Sequence, residues 1–145
     1  MTHNVPTIDP VRRGLIAAAV ISAGAGLASR AESRALPGLR RIKAGDLEIA
    51  YAEAGPPHGP AVILLHGWPY DIHAFDAVTP RLAAAGYRVI APYLRGFGET
   101  RFRSPSTVRN GQPSAVASDT VAMMDALGIK DAVLAGFDWG ARSAD

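Results

Sequence analysis

A chain of 145 residues is long enough for one ordinary domain, and 48% apolar with 19% charged residues excludes a disordered chain. The complete lack of cysteine excludes disulfides, thiolate catalysis and cysteine-ligated zinc. The net charge of +2 is unevenly spread: residues 1–43 carry seven Lys/Arg against Asp9 and Glu32, and the rest carry eight against eleven Asp/Glu, with no basic patch of interleaved aromatics, which argues against a nucleic-acid surface.

The first element is an apolar N-terminal segment, residues 1–31. Arg12-Arg13 precede an uncharged run, Gly14 to Ser29, rich in Ala, Ile, Leu and Val. It is shorter than the roughly 20 residues that a membrane-spanning helix needs. Basic residues, a short apolar core and then small residues are the layout of an export signal. The string Arg12-Arg13-Gly14-Leu15-Ile16 resembles a twin-arginine signal, although Val11 stands where Ser or Thr is usual and no Lys follows the apolar pair. Gly26-Leu27-Ala28 is the best cleavage candidate. On this reading the segment meets the membrane only transiently and the destination is the periplasm. An ordinary apolar helix, or an upstream start codon adding extra sequence, leaves the protein cytoplasmic. Residues 32–38 read as a linker with Pro37-Gly38 as its turn.

Residues 39–145 read as the globular part. Leu39–Lys43 and Leu47–Ala54 alternate around Gly45-Asp46, a hairpin signal. Ala61–Leu65 is a continuous apolar run, as expected of a strand buried on both faces. His73–Ala85 fits a helix with Phe75, Val78, Leu82 and Ala85 on one face, closed by Gly86. Tyr87–Ala91 is the next strand, and residues 93–113 form a long loop. Ser114–Leu127 is a second helix with Val121, Met124 and Leu127 apolar, closed by Gly128. Ala132–Ala135 is the last strand, followed by a helix start. Strand and helix alternate after the opening hairpin, which predicts an α/β fold with a mostly parallel sheet flanked by helices. Ligands of such sheets lie at the carboxyl ends of the strands.

Two motifs sit at those ends. Gly136-Phe137-Asp138-Trp139-Gly140 has the Gly-x-nucleophile-x-Gly spacing of a nucleophile elbow, with Asp138 at its centre. A carboxylate there suits attack on saturated carbon, forming an ester of the enzyme itself. By itself an Asp at a helix start is more often a cap; the flanking glycines and the apolar strand before it favour a nucleophile. His66-Gly67-Trp68-Pro69 follows strand 61–65, where Gly67 permits an unusual backbone angle and Pro69 stiffens the exit. The backbone N–H groups of Trp68 and Trp139 are the candidate oxyanion donors. His66 reads as a hydrogen-bonded turn residue rather than a base, and no His/Asp/Glu cluster has metal-ligand spacing. Leu94-Arg95-Gly96-Phe97-Gly98 reads as a structural glycine turn, with no phosphate-loop pattern and no cofactor implied.

These residues resemble the α/β-hydrolase superfamily, over its N-terminal half, and within it the epoxide hydrolase branch. The resemblance rests on His66 to Pro69, on Ala91-Pro92-Tyr93-Leu94-Arg95-Gly96-Phe97-Gly98 and on Gly136 to Gly140. Tyr93 stands where the branch usually has Asp, and Phe137 where it usually has His. Haloalkane dehalogenases share the Asp-Trp elbow and are the nearest alternative; a non-catalytic α/β module is the other. The resemblance implies a small-molecule substrate, an epoxide or an alkyl halide. It implies two-step covalent catalysis: attack by Asp138, then hydrolysis of the ester by water that a His base activates. In the family the acid, the His and a cap domain with tyrosines come after the elbow. The fold is therefore expected to be truncated after the elbow, the chain alone to be inactive in turnover, and its last strand to keep an open edge.

Overall fold

The computed structural model describes residue 36 and residues 38–144, so the expected export segment and most of the linker lie outside the described residues. All described residues fall in one compact unit, Ser33–Asp145. Six strands form one sheet: β1 (Arg40–Ala44), β2 (Leu47–Ala54), β3 (Ala61–Leu65), β4 (Arg88–Pro92), β5 (Arg101–Phe102) and β6 (Ala132–Gly136). The spatial order is β1-β2-β4-β3-β6, with β5 pairing β2 at Leu47 and Glu48. β1 and β2 form the expected hairpin around Gly45, whose φ is +51°. β3 runs parallel to β4 and to β6, and β2 runs antiparallel to β4, so the sheet is mixed with a parallel centre.

The strand pattern explains why the middle strands read as unbroken apolar runs. Successive side chains point to opposite faces, and both faces are covered. Leu47, Ile49, Ile63, Leu65 and Ile90 form one core with Val116 and Met123. Ala50, Ala52, Val62, Leu64 and Val89 form the other with Ile72 and Phe75. Each buried Val, Leu or Ile contributes about 1.5–3 kcal/mol of transfer free energy, so a charge on β3 would be opposed on either face.

Among the described residues three α-helices flank the sheet: α1 (Thr79–Ala84), α2 (Pro113–Ala126) and α3 (Trp139–Ala144). The helix expected over 73–85 is divided. Ile72–Phe75 makes a separate 3-10 turn capped by Asp71, and α1 starts only at Thr79. Pro80 is the reason: deep in one long helix it would lack the N–H owed to Asp76 and its ring would clash with that carbonyl, whereas in a first turn it costs nothing. Val78 therefore sits outside the buried stripe, 43% exposed. α1 and α2 end as their glycines predict. Gly86 (φ +92°) and Gly128 (φ +65°) let Tyr87 N–H reach Leu82 O and Ile129 N–H reach Met124 O, the pairing of a Schellman cap.

α2 buries Val116, Thr120 and Met123, not the face centred on Val121, which is 58% exposed. Burial of Thr120 is tolerated because its hydroxyl donates to Val116 O at 3.0 Å. Beyond β6 no further strand pairs among the described residues, and Val133 is 61% exposed.

Candidate active site

The site forms where the turns after β3 and β6 meet. β3 and β6 pair in register from Ala61↔Ala132 to Leu65↔Gly136, so both chains leave the sheet at the same level. After β3, Tyr70 N–H donates to Gly67 O at 2.9 Å and closes a turn; its Trp68–Pro69 peptide bond is cis. After β6, Asp138 takes a φ of +52°, the one non-glycine residue in the left-handed region among the described residues. That conformation costs about 1–2 kcal/mol and is held by Gly140 N–H donating to Phe137 O at 3.0 Å and Arg142 N–H to Asp138 O at 3.1 Å. The result lifts the Asp138 side chain off the sheet, and α3 begins immediately at Trp139.

The glycines of both motifs are there for clearance. A Cβ on Gly67 would stand 2.6 Å from Asp138 Cβ and 2.7 Å from Phe137 O. A Cβ on Gly140 would overlap the Leu65 carbonyl. Gly136 meets the same carbonyl at 2.7 Å. The two turns can touch only because these positions lack side chains.

Contact produces a specific electrostatic arrangement. Trp68 N–H donates to Asp138 Oδ1 at 2.9 Å. That bond, then the neighbouring Trp139 N–H, and more weakly the Arg142 guanidinium hold the Asp138 carboxyl below its usual range, with desolvation opposing them. The carboxylate is exposed and ionised at neutral pH. Of the two backbone N–H groups singled out in the sequence, Trp68 makes a direct hydrogen bond to the Asp138 carboxylate, and Trp139 lies beside it at the start of α3.

His66 is fully buried and has another task. Leu94 N–H donates to its Nε2 at 3.2 Å, so that nitrogen is unprotonated and the proton lies on Nδ1, which faces Gly67 O at 3.4 Å. Phe97 packs edge-on against the ring, centroids 4.8 Å apart. His66 therefore braces the turn after β3 against the turn after β4. Burial lowers its pKa below the usual value. The folded protein then binds fewer protons than the unfolded chain, and stability falls as pH drops below about 6.5, the unfolded value. Denaturation midpoints measured from pH 8 to pH 5 should decline below that point, and the decline should flatten in His66→Gln; parallel curves for the two proteins would contradict this.

Aromatic side chains surround the elbow. Phe137 packs on Tyr70 and Phe75, each at 5.9 Å between ring centroids, which accounts for an apolar residue before Asp138. Tyr93 lies over Gly98, where a Cβ would strike its ring. A cleft of about 240 Å³ is lined in part by Trp68, Trp139 and Phe97. Among the described residues no group of three His, Asp or Glu is placed to hold a metal ion. Arg95 also lines the cleft and is ion-paired with Asp119. In the sequence Arg95 stands out only as part of a glycine turn, and no local signal links it to a partner 24 residues away.

A strand–elbow–helix unit at the carboxyl ends of parallel strands, with backbone donors aimed at its central side chain, defines a hydrolase-type core. The model of the alpha/beta hydrolase fold family matches residues 60–144. The chain belongs to that family. It is similar to Epoxide hydrolase A of Mycobacterium tuberculosis, 35% identical over 105 residues that make up 72% of this chain and 32% of the relative. It is 41% identical over 86 residues to Epoxide hydrolase 2 of Siraitia grosvenorii, covering 59% of this chain and 27% of that one. Among solved structures, it superimposes on a Klebsiella pneumoniae protein proposed to be an epoxide hydrolase with a TM-score of 0.75 and 61% identity, over 78% of this chain and 37% of that one. For epoxide hydrolase VrEH1 of Vigna radiata the TM-score is 0.65 at 32% identity, over 73% and 33% of the two chains. The chain thus spans about a third of the length of the curated relatives it matches.

Proposed function

We propose that this chain carries the nucleophile half of an epoxide-opening hydrolase, with Asp138 as the attacking group. The observation that supports this most directly is the 2.9 Å hydrogen bond from Trp68 N–H to Asp138 Oδ1. It divides the labour of the two carboxylate oxygens. Oδ1 accepts from Trp68 N–H, and the other oxygen is left to attack. That oxygen forms a bond to an epoxide carbon, the carbon–oxygen bond of the ring breaks, and the released alkoxide takes a proton from solvent water. The product is an alkyl ester whose carbonyl oxygen is Oδ1, already against Trp68 N–H.

The second step follows from the same geometry. Water adds to the ester carbonyl carbon, and the charge that develops on Oδ1 meets the Trp68 and Trp139 N–H groups. One such donor is worth about 3–4 kcal/mol in studied hydrolases. Collapse releases the diol and restores the carboxylate. The water needs a base, and His66 cannot serve, since its ring nitrogens are turned to Leu94 N–H and Gly67 O inside the core. The described residues therefore support ester formation more strongly than ester release. The epoxide reading is favoured over an alkyl halide by the epoxide hydrolases among the relatives.

Ester formation is directly testable. Incubation with excess styrene oxide is expected to add one substrate mass to the protein, and peptide mapping to locate it on Asp138. Adducts spread over several surface carboxylates, with none on Asp138, would contradict the proposal.

A further inference from the structure

Arg95 follows β4, and its side chain is only 9% exposed. All three guanidinium nitrogens are engaged. Nε and Nη2 donate to Asp119 Oδ2 and Oδ1 at 2.6 and 2.7 Å, and Nη1 donates to Asn110 O at 2.7 Å. Asp119 belongs to α2, and Asn110 to the loop between β5 and α2. The same loop is held at a second point, where the Arg109 guanidinium stacks on Phe102 at 3.9 Å. Arg95 and Gly111, the neighbour of Asn110, line the same cleft as Trp68 and Trp139. The planar fork thus joins the turn after β4, α2 and the loop at the cleft wall, a task that a single ammonium point charge cannot perform.

The pairing also decides the cleft's charge. Among the described residues Arg95 is the only charged one in the lining, and its charge is met by Asp119 at hydrogen-bond distance; the other described lining residues are aliphatic, aromatic or glycine. A volume of about 240 Å³ exceeds the roughly 150 Å³ in which a benzene ring is known to lodge. We propose that Arg95 is a positioning residue that sets the specificity of this cleft: by tying Asn110–Gly111 to α2, and with its charge cancelled by Asp119, it shapes an uncharged pocket for one apolar, ring-sized arm of the substrate. The word substrate rests on the Asp138 reading above; the pocket's preference does not.

The chain has two tryptophans, Trp68 and Trp139, and both line the cleft, so intrinsic fluorescence reports its occupancy. Titrations are run on Asp138→Asn, which removes the nucleophile and its charge. A saturable response to 1-phenyl-1,2-ethanediol is expected, with 1,2-propanediol and mandelate weaker by about tenfold or more. Adding Asp119→Asn leaves the Arg95 charge uncompensated and is expected to shift the mandelate-to-diol affinity ratio by about tenfold toward mandelate. Gain of anion binding cannot result from unfolding. Adding Arg95→Lys instead is expected to reduce discrimination between the phenyl and methyl diols. An unchanged mandelate-to-diol ratio in the Asp119 variant, or mandelate equal to the phenyl diol in the parent, would overturn the proposal. If these preferences hold while Asp138 captures no epoxide, the reaction assignment fails and the cleft assignment stands; capture with flat preferences gives the reverse.

Discussion

Asp138→Asn is expected to slow covalent capture of an epoxide by a factor on the order of 10⁴ or more while leaving the fold intact. The amide has no charge to offer carbon, yet its oxygen can still accept from Trp68 N–H. Asn also tolerates the left-handed backbone that Asp138 occupies at φ +52° better than other non-glycine residues do. Asp138→Ala should lose capture equally and also destabilise the protein, since Ala lacks both the hydrogen bond and the tolerance. Rates of adduct formation by intact mass, paired with denaturation midpoints, separate the two effects. Capture by Asp138→Asn at the parent rate would place the nucleophile elsewhere. The pH dependence has a definite sign. Because Trp68 and Trp139 N–H hold the carboxyl below its ordinary range, the capture rate should stay flat down to about pH 4 and fall only below it. An acid limb near pH 6 would point to a different group.

Gly140→Ala is the second large effect, and it acts on stability. The added methyl would overlap the Leu65 carbonyl and come within 2.8 Å of His66 O. Neither atom belongs to a side chain that can rotate away, so relief requires moving β3 or α3. Overpacking of a well-packed site costs typically 1–3 kcal/mol, and a backbone clash belongs at or above the top of that range. Against a total stability of about 5–15 kcal/mol, a loss of about 3 kcal/mol is severe. Chemical denaturation should report it as a lower midpoint, with capture at Asp138 reduced in parallel. A variant as stable as the parent would mean that the two turns are not in contact.

The elbow and its partner turn were legible in the sequence because close backbone approach leaves a local mark: glycines on both sides of Asp138 and one after His66. β2 and β3 have the boundaries their alternation and apolar runs predict, since the sheet buries both faces. The structure departs from the sequence pattern where a single residue outranks it. Pro80 divided the helix expected over 73–85. Thr120 took a buried place on α2 because its hydroxyl found a partner in its own helix, and Val121 was left outside. β5 is two residues long and carries no period to detect. The Arg95–Asp119 pair joins elements with no common local signal.

Asp138 and the Trp68 N–H that donates to it are separated by 70 residues in sequence, and what aligns them is the pairing of Leu65 with Gly136. Sliding β6 by one residue along β3 would carry Asp138 about 3.3 Å and turn its neighbours to the wrong face. That step is longer than the hydrogen bond it would break. Strand register is therefore the ruler of this contact: the carboxylate meets Trp68 only in the one alignment that also places Gly140 under Leu65. With Asp138 as the proposed attacking group, a misaligned chain is expected to be inert as well as misfolded, and reactivity at Asp138 would count correctly paired molecules in a mixed population.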